Sequence, residues 1–298
     1  MAVFNFGSIN IDYVYKVDHF VAPGETLSSD GYRAVLGGKG ANQSIACAKA
    51  GAPTFHIGAI GALDAQMLTP MIDANVDLSL VSKLDDVASG HAIIQVTPDA
   101  ENSIILFGGA NQTLTSQHID NALAKASVDD WVLLQNETNA IAQIIDSASE
   151  KGLKIAFNPA PMTNSIQSLP IDKIDLLVVN EIEAMQLTET ASEHAAKVAL
   201  KAQYPNTNVL LTLGKQGVMF LHDQKEIKVD AFKVDAKDTT AAGDTFIGYF
   251  LACYTTLENV ESAMRTACAA SAIAVTREGA APSIPKMDEV STFLSQRT

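Results

Sequence analysis

The run Asp238-Thr239-Thr240-Ala241-Ala242-Gly243-Asp244-Thr245-Phe246 places a carboxylate within the first turn of an apolar stretch. Ala-Ala-Gly gives a tight turn with accessible amides, and a helix start adds a positive field. Together they can hold an anion, or the charge that develops on a phosphoryl group in transfer. The same field keeps Asp244 ionised, so that it can accept a proton from a hydroxyl. A second run, Gly37-Gly38-Lys39-Gly40-Ala41-Asn42-Gln43, precedes the small-residue helix 44–50, where backbone can approach a ligand closely. It is not a nucleotide P-loop, because Arg33 replaces the first glycine and Gly40 stands where Ser or Thr follows the lysine. It is not a dinucleotide fingerprint either, because Gln43 occupies the third glycine position. Each run taken alone also fits a plain turn and helix cap.

Polar residues follow several apolar runs. Asn180-Glu181-Ile182-Glu183 comes after 176–179, and Thr212-Leu213-Gly214-Lys215-Gln216-Gly217 after 209–211. Ligands of open α/β sheets bind beyond the carboxyl ends of strands. Asn180 and Glu183 could there hold a hydrated Mg²⁺ beside phosphates. Asn10 and Asp12, after the first apolar run, suit sugar hydroxyls. A turn leading into a solvated helix explains the first two equally well, and ordinary loop polarity the third.

Positioning these groups falls to an alternation of short and long segments. The runs 3–9, 54–59, 131–135, 154–158, 176–179 and 209–212 are rich in Val, Ile, Leu and Phe and read as strands buried on both faces. Between them, 41–50, 139–151, 181–187 and 193–204 read as helices, and 243–254, 260–276 and 287–296 close the chain with three more. Strand-helix alternation implies parallel crossovers, hence an α/β fold with a mostly parallel sheet covered on both sides. Segments 13–36 and 90–107 break the rhythm with one-on, one-off apolar patterns such as Tyr13-Val14-Tyr15-Lys16-Val17. They read as a small antiparallel sheet inserted into a core formed by 1–12, 37–89 and 108–298. Such a sheet can serve as a lid, a dimer surface or a plain edge extension.

Composition narrows the partners. Hydrophobic residues make up 47% and charged residues 18%, enough apolar content for a sizeable core. Twenty basic against 34 acidic residues leave a net charge of −14, which disfavours nucleic acid and anionic membranes as partners. No apolar run reaches the roughly 20 residues of a membrane span. The first lysine is Lys16, so the apolar start reads as a strand and not a signal peptide. Cys47, Cys253 and Cys268 form no close pair, which fits a reducing cytoplasm, and no HExxH motif points to a metallohydrolase.

Taken together and in order, these motifs resemble those of the PfkB-type, or ribokinase-like, carbohydrate kinases. The resemblance runs from Asn10 to Ser283 and includes Asn158-Pro159-Ala160-Pro161. It implies a ribokinase-like three-layer sandwich with a small β-sheet lid. The implied activity is a phosphotransferase with an alcohol acceptor, moving the γ-phosphate of ATP to O5 of D-ribose. Another small sugar or nucleoside, such as fructose, ketodeoxygluconate or adenosine, is the alternative acceptor. The resemblance assigns Asn10, Asp12, Gly38, Lys39, Gly40, Ala41, Asn42 and Glu137 to the sugar, with Asp244 as the base. The amides of Ala241, Ala242 and Gly243 become the anion hole. ATP falls to Asn180, Thr212, Leu213, Gly214, Lys215, Gln216 and Gly217, with Gly243 and Asp244 at the phosphates and Cys268 near the adenine. Glu183 would orient Mg²⁺ through water. Potassium would take oxygens from Asp238, Thr240, Ala274, Arg277, Gly279 and Ser283, and the lid would join a homodimer.

Three stretches depart from the pattern. Gly61-Ala62-Leu63-Asp64-Ala65-Gln66 carries its acid out of register, which touches local packing. Cys268 replaces an Asn or His, removing one base contact, and the turn Pro98-Asp99-Ala100-Glu101-Asn102 lacks a glycine. A binding protein that has lost catalysis would show an altered Asp244 or a broken anion hole, and neither is seen. A nicotinamide oxidoreductase lacks its Gly-x-Gly-x-x-Gly.

Overall fold

In the computed structural model, which describes residues 1–99, 101–223, 225–254 and 259–297, the chain begins with β1 (Val3–Phe6), β2 (Asn10–Lys16) and β3 (Gly31–Gly37). There follow α1 (Lys39–Lys49), β4 (Thr54–Gly61), α2 (Thr69–Asp73), β5 (Asp77–Leu84), β6 (Gly90–Val96) and β7 (Asn102–Phe107). The middle holds α3 (Ser116–Leu123), β8 (Trp131–Gln135), α4 (Ile141–Glu150), β9 (Lys154–Asn158), β10 (Leu176–Asn180) and α5 (Glu181–Thr188). The last part comprises α6 (Glu193–Gln203), β11 (Asn208–Thr212), β12 (Val218–His222), β13 (Lys225–Val229), α7 (Ala242–Cys253), α8 (Val260–Ala274) and α9 (Met287–Ser295).

The large sheet has the order β13-β12-β11-β10-β9-β8-β1-β4-β5. From β11 to β5 every pairing is parallel, and the β12–β13 hairpin closes one edge antiparallel. Lys225, Glu226 and Lys228 put charge on that edge strand, which discourages further pairing. Helices cover both faces, giving the three layers the α/β pattern demands. One face packs Phe4, Phe6, Val132, Leu134, Ile155 and Phe157 against α3–α6 residues such as Ile119, Ile144, Leu187 and Leu200. The other packs Val3, Trp131, Leu133 and Leu210 against Ile45, Phe250, Met264 and Ile273 of α1, α7 and α8.

The small sheet has the order β3-β2-β6-β7. Its two outer pairings are antiparallel, but β2 and β6 run parallel in register from Asn10↔Gly90 to Lys16↔Val96. The expected all-antiparallel sheet is corrected here. The two central strands come from distant segments, so no hairpin dictates their direction. The expected strand 3–9 also divides. β1 ends at Phe6, the Gly7 amide bonds the Ile57 carbonyl, and the Ser8 carbonyl turns aside to accept from Ala41. Asn10 then opens β2 in the other sheet. In the Gly61–Gln66 stretch, Gly61 ends β4 and tight helical turns run over Ala62–Leu68, where Asp64 accepts from the Ser89 hydroxyl at 2.6 Å. In the turn at 98–102, Ala100 lies outside the described residues. Among the described residues no helix is long and apolar enough to cross a membrane.

Candidate active site

The glycine run ends as the N-terminus of α1. Gly38 precedes the helix with φ +92°, a conformation a Cβ would strain, and it turns the chain so that α1 starts at Lys39. Helix α7 lies against α1 because Gly248 meets Ala46, whose Cβ would stand 2.4 Å from any Cβ on Gly248. That close approach sets Asp244, in the first turn of α7, beside the first turn of α1. Its Oδ2 accepts from Asn42 Nδ2 at 3.1 Å and its Oδ1 from Gln43 Nε2 at 2.9 Å. Burial pushes the Asp244 carboxyl up to about 6, against the charge of Lys39 and these two donors, with Glu137 adding to the rise.

A cavity of about 220 Å³ opens above this carboxylate. Lys39, Asn180, Glu183, Thr212, Ala241, Ala242, Gly243 and Asp244 line it, so residues from both sequence motifs and two strand ends meet there. Asn158, Ala160, Val178, Thr239 and Ile247 line it as well. Ala241 caps α7 in the left-handed region at φ +58°. The Ala242 amide donates to the Thr239 carbonyl at 3.2 Å, whereas Gly243 and Asp244 are first-turn residues whose amides have no acceptor within the helix.

Lys39 bridges this cavity to a second group. Its ammonium pairs with Glu137 at 3.2 Å, and its amide donates to the same carboxylate at 3.0 Å. Ser8, which the sequence reading passed over, donates its hydroxyl to Glu137 and accepts from the Gly40 amide at 3.2 Å. Burial alone would lower the Lys39 ammonium, but Glu137, Asp244 and Glu183 outweigh it and hold its pKa above the usual value. Asp12 is pushed up to about 6, chiefly by burial and then by Glu137, with Lys39 opposing. Asn10 is fixed by Asn111, whose Nδ2 donates to it at 2.7 Å while its Oδ1 accepts from the Ile9 amide at 2.9 Å. Asn111 carried no signal in the sequence, since it pairs with Asn10 only across the fold. Ala41 is fully buried behind this cluster.

Asn180 and Glu183 cap α5 reciprocally. Asn180 Oδ1 accepts from the Glu183 amide at 2.8 Å, and Glu183 Oε2 from the Asn180 amide at 3.0 Å. The cap fixes the Glu183 carboxyl at the cavity wall, where burial raises its pKa against the Asn180 amide and Lys39. Beyond Thr212, Leu213 is buried, Gly214–Gln216 form a single tight turn and Gly217 follows at φ +102°. Lys215 and Gln216 face solvent. Cys268 is buried in α8 and does not line the cavity; burial pushes its thiol up to about 12.

The residues around Asp238 form a separate cluster at the loop leading to α7. Asp238 accepts from the Thr240 amide and the Gly279 amide, each at 2.8 Å. Burial would raise its carboxyl, but those bonds and Arg33 hold it below the usual range. The Ala274 carbonyl accepts from the Arg277 amide at 3.0 Å, and the Ser283 hydroxyl donates to Ala280 at 2.7 Å. The Arg277 side chain pairs with Glu289 and not with Asp238. Among the described residues no three His, Cys, Asp or Glu side chains form a protein-only metal cage.

The model of the pfkB family carbohydrate kinases matches residues 2–287. A ribokinase of Haemophilus influenzae is 36% identical over 299 residues, covering 97% of this chain and 96% of that protein. A deoxyribokinase of Salmonella typhimurium is 29% identical over 97% of both chains. Among solved structures, Arabidopsis thaliana ribokinase complexed with ribose and ATP superposes with a TM-score of 0.87 at 28% identity, covering 99% of each chain.

Proposed function

Because the chain belongs to the pfkB family of carbohydrate kinases, we propose that it transfers the γ-phosphoryl group of ATP to O5 of D-ribose. The observation that carries this reading is Asp244, a carboxylate held by two side-chain donors in the first turn of α7 and facing a cavity that also receives Lys39 and Glu183. The 36% identity to a ribokinase over nearly the whole chain supports ribose as the acceptor.

Asn10, Asp12, Lys39, Asn42 and Glu137 bind and orient the sugar, whose 5-hydroxyl points at Asp244. Asp244 takes the hydroxyl proton as the oxygen attacks phosphorus in line with the departing ADP. The amides at the start of α7 and the Lys39 ammonium stabilise the charge on the transferring group. Asn180 and the 212–217 turn hold the nucleotide. The oxygen-only donor set suits a hard cation. Glu183 would hold Mg²⁺ through water, and the ion would supply charge neutralisation at the phosphates. Oxygens of Asp238, Thr240, Ala274, Arg277, Gly279 and Ser283 would hold potassium, which would supply positive charge near the anion hole. The small sheet acts as lid, excluding water so that the sugar outcompetes it as acceptor.

The same sheet forms a homodimer surface. Ile104, Ile105, Leu106 and Phe107 on edge strand β7 are all more than half exposed, with Ile93 beside them on β6, and an apolar open edge calls for a partner. The three free cysteines and the acidic surface suit the cytoplasm.

ADP release from Mg-ATP, measured against ribose, deoxyribose, fructose, ketodeoxygluconate and nucleosides with and without potassium, tests the reading. Turnover is strongest with ribose and rises with potassium. A stronger response to another acceptor moves the substrate, and no turnover from folded protein removes the kinase assignment.

A further inference from the structure

Behind Asp244, on the α1 side of the large sheet, lies a line of buried polar side chains with no part in binding. Gln43 Nε2 donates to Asp244, and Gln43 Oε1 accepts from Gln135 Nε2 at 2.8 Å. Gln135 Nε2 also donates to Asn5 Oδ1 at 2.9 Å. Asn5 Nδ2 donates to Ser44 Oγ and to the Gly40 carbonyl, both at 2.8 Å. Ser44 meets His56 Nδ1 at 2.8 Å, and His56 Nε2 meets the Gly7 carbonyl at 3.1 Å. Gln43, Gln135, Asn5, Ser44 and His56 are each no more than 1% exposed.

The direction of every bond in this line is forced. A backbone carbonyl only accepts, so His56 Nε2 carries the proton and Nδ1 accepts from the Ser44 hydroxyl. Asn5 must turn its amine to the Gly40 carbonyl and its oxygen to Gln135. Gln135 must donate both ways, which leaves its Oε1 buried without a partner. Gln43 must then present oxygen to Gln135 and its amine to Asp244. An orphaned buried oxygen costs about 1–3 kcal/mol, and an apolar core would avoid it. Burial holds His56 down to about 4, so its tautomer stays fixed through the working range.

We propose that Gln43 is a positioning residue for Asp244, its amide locked by the chain Gln135–Asn5–Ser44–His56 so that a donor always faces the catalytic carboxylate. The lock keeps Oδ1 occupied and its lone pairs directed. With Asn42 on Oδ2, it aims the remaining lone pair at the hydroxyl to be deprotonated. This inference rests on the kinase reading of the same site. The charged and titratable groups facing Asp244 are Lys39 from the start of α1, Glu137 after β8 and Glu183 on α5. None of them changes in the variants below.

The test compares wild type with Gln43→Met, Gln43→Glu and Gln135→Met. Gln43→Met lowers kcat about 10- to 100-fold, leaves the ribose KM within about twofold, and moves the acid limb of the pH profile up by about one unit. Gln43→Glu sets a second carboxylate beside Asp244 and moves the limb further. Gln135→Met removes the donor on Gln43 Oε1 but leaves the weaker bond from Gln43 Nε2 to Asn158 Oδ1 at 3.4 Å, so it gives a smaller change in the same direction. A wild-type limb in Gln43→Met, or a kcat loss matched by lost ribose affinity with the limb unmoved, overturns the proposal. Carbon-13 NMR of the Asp244 carboxyl follows its titration without turnover. If wild type itself fails to phosphorylate sugars, the kinase reading falls, and the NMR midpoint still decides the lock. Should a Gln43 variant not fold, Gln135→Met carries both readouts, and an unmoved midpoint there overturns the proposal.

Discussion

On the face of the large sheet covered by α3–α6, the strands send in Phe4, Phe6, Ile57, Val132, Leu134, Ile155, Phe157, Leu177 and Val179, all apolar. On the face covered by α1 and α7, the same strands send in Val3, Leu133 and Val178 but also Asn5, His56, Gln135 and Asn158. Both faces are equally buried, and strand alternation assigns each residue to its side. The difference lies in what the covering helices carry. Of α3–α6 only α5 reaches the cavity, through Glu183 in its first turn, whereas α1 and α7 bring Lys39, Asn42, Gln43 and Asp244 to their common end. A face that must hold a reactive carboxylate in one orientation gives up part of its apolar burial to directed hydrogen bonds.

The comparison breaks most visibly at Asp244. Asp244→Asn lowers kcat about 10³-fold or more, while ribose binding measured by calorimetry survives. Retained turnover removes Asp244 from the role of base. Next in size is a cut in the apolar face. Phe157→Ala costs about 3–5 kcal/mol of stability, read as a lower denaturation midpoint, with ribose KM unchanged in the folded fraction. An equal loss of KM would show that the two faces are not independent.

The pH dependence sharpens the contrast. Asp244 has a folded pKa raised to about 6 from an ordinary 3.8, so it binds its proton more readily in the folded state. Its ionised form therefore opposes folding above about pH 6, and that penalty disappears as pH falls towards 4. Asp244→Asn is expected to raise Tm by about 2 °C above pH 7, with the advantage shrinking towards pH 5. A constant difference contradicts the burial of the charge. The smallest effect belongs to His56. Held neutral with its pKa lowered from 6.5 to about 4, it loses stability as pH falls below 6.5, where the unfolded chain takes up a proton. His56→Phe costs about 1 kcal/mol at pH 7, and the gap to wild type narrows near pH 5. A gap that widens reverses the sign.

The fold and the cleft were legible in unequal parts. Turn-to-helix motifs at Gly37–Gln43 and Asp238–Phe246 announced themselves because glycine and small residues before a helix have few other uses, and Asn180 with Glu183 stood out as a polar pair following an apolar run. Strands buried on both faces were equally plain. Half-exposed β5 and the charged edge strand β13 passed unnamed, since Asp77–Leu84 and Lys225–Val229 have no continuous apolar run, while the short apolar run of β12 (Val218–His222) was passed over. The run 3–9 hid a change of sheet, because apolar character says nothing of where hydrogen bonds stop. Asn5, His56 and Gln135 were invisible as a group, their partners lying on different strands brought together only by parallel register, with Asn5 opposite both His56 and Leu133. Ser8 and Asn111 escaped for the same reason: each acts through Glu137 or Asn10, more than a hundred residues away.

The destination of the phosphorus is the decisive observable. Phosphorus–proton correlation NMR of the product from Mg-ATP and ribose should show a single new ester at the C5 oxygen, formed by wild type and absent with Asp244→Asn. A phosphate ester at another ribose carbon, or inorganic phosphate as the only product, contradicts a cavity in which Asp244 faces the 5-hydroxyl and water is shut out.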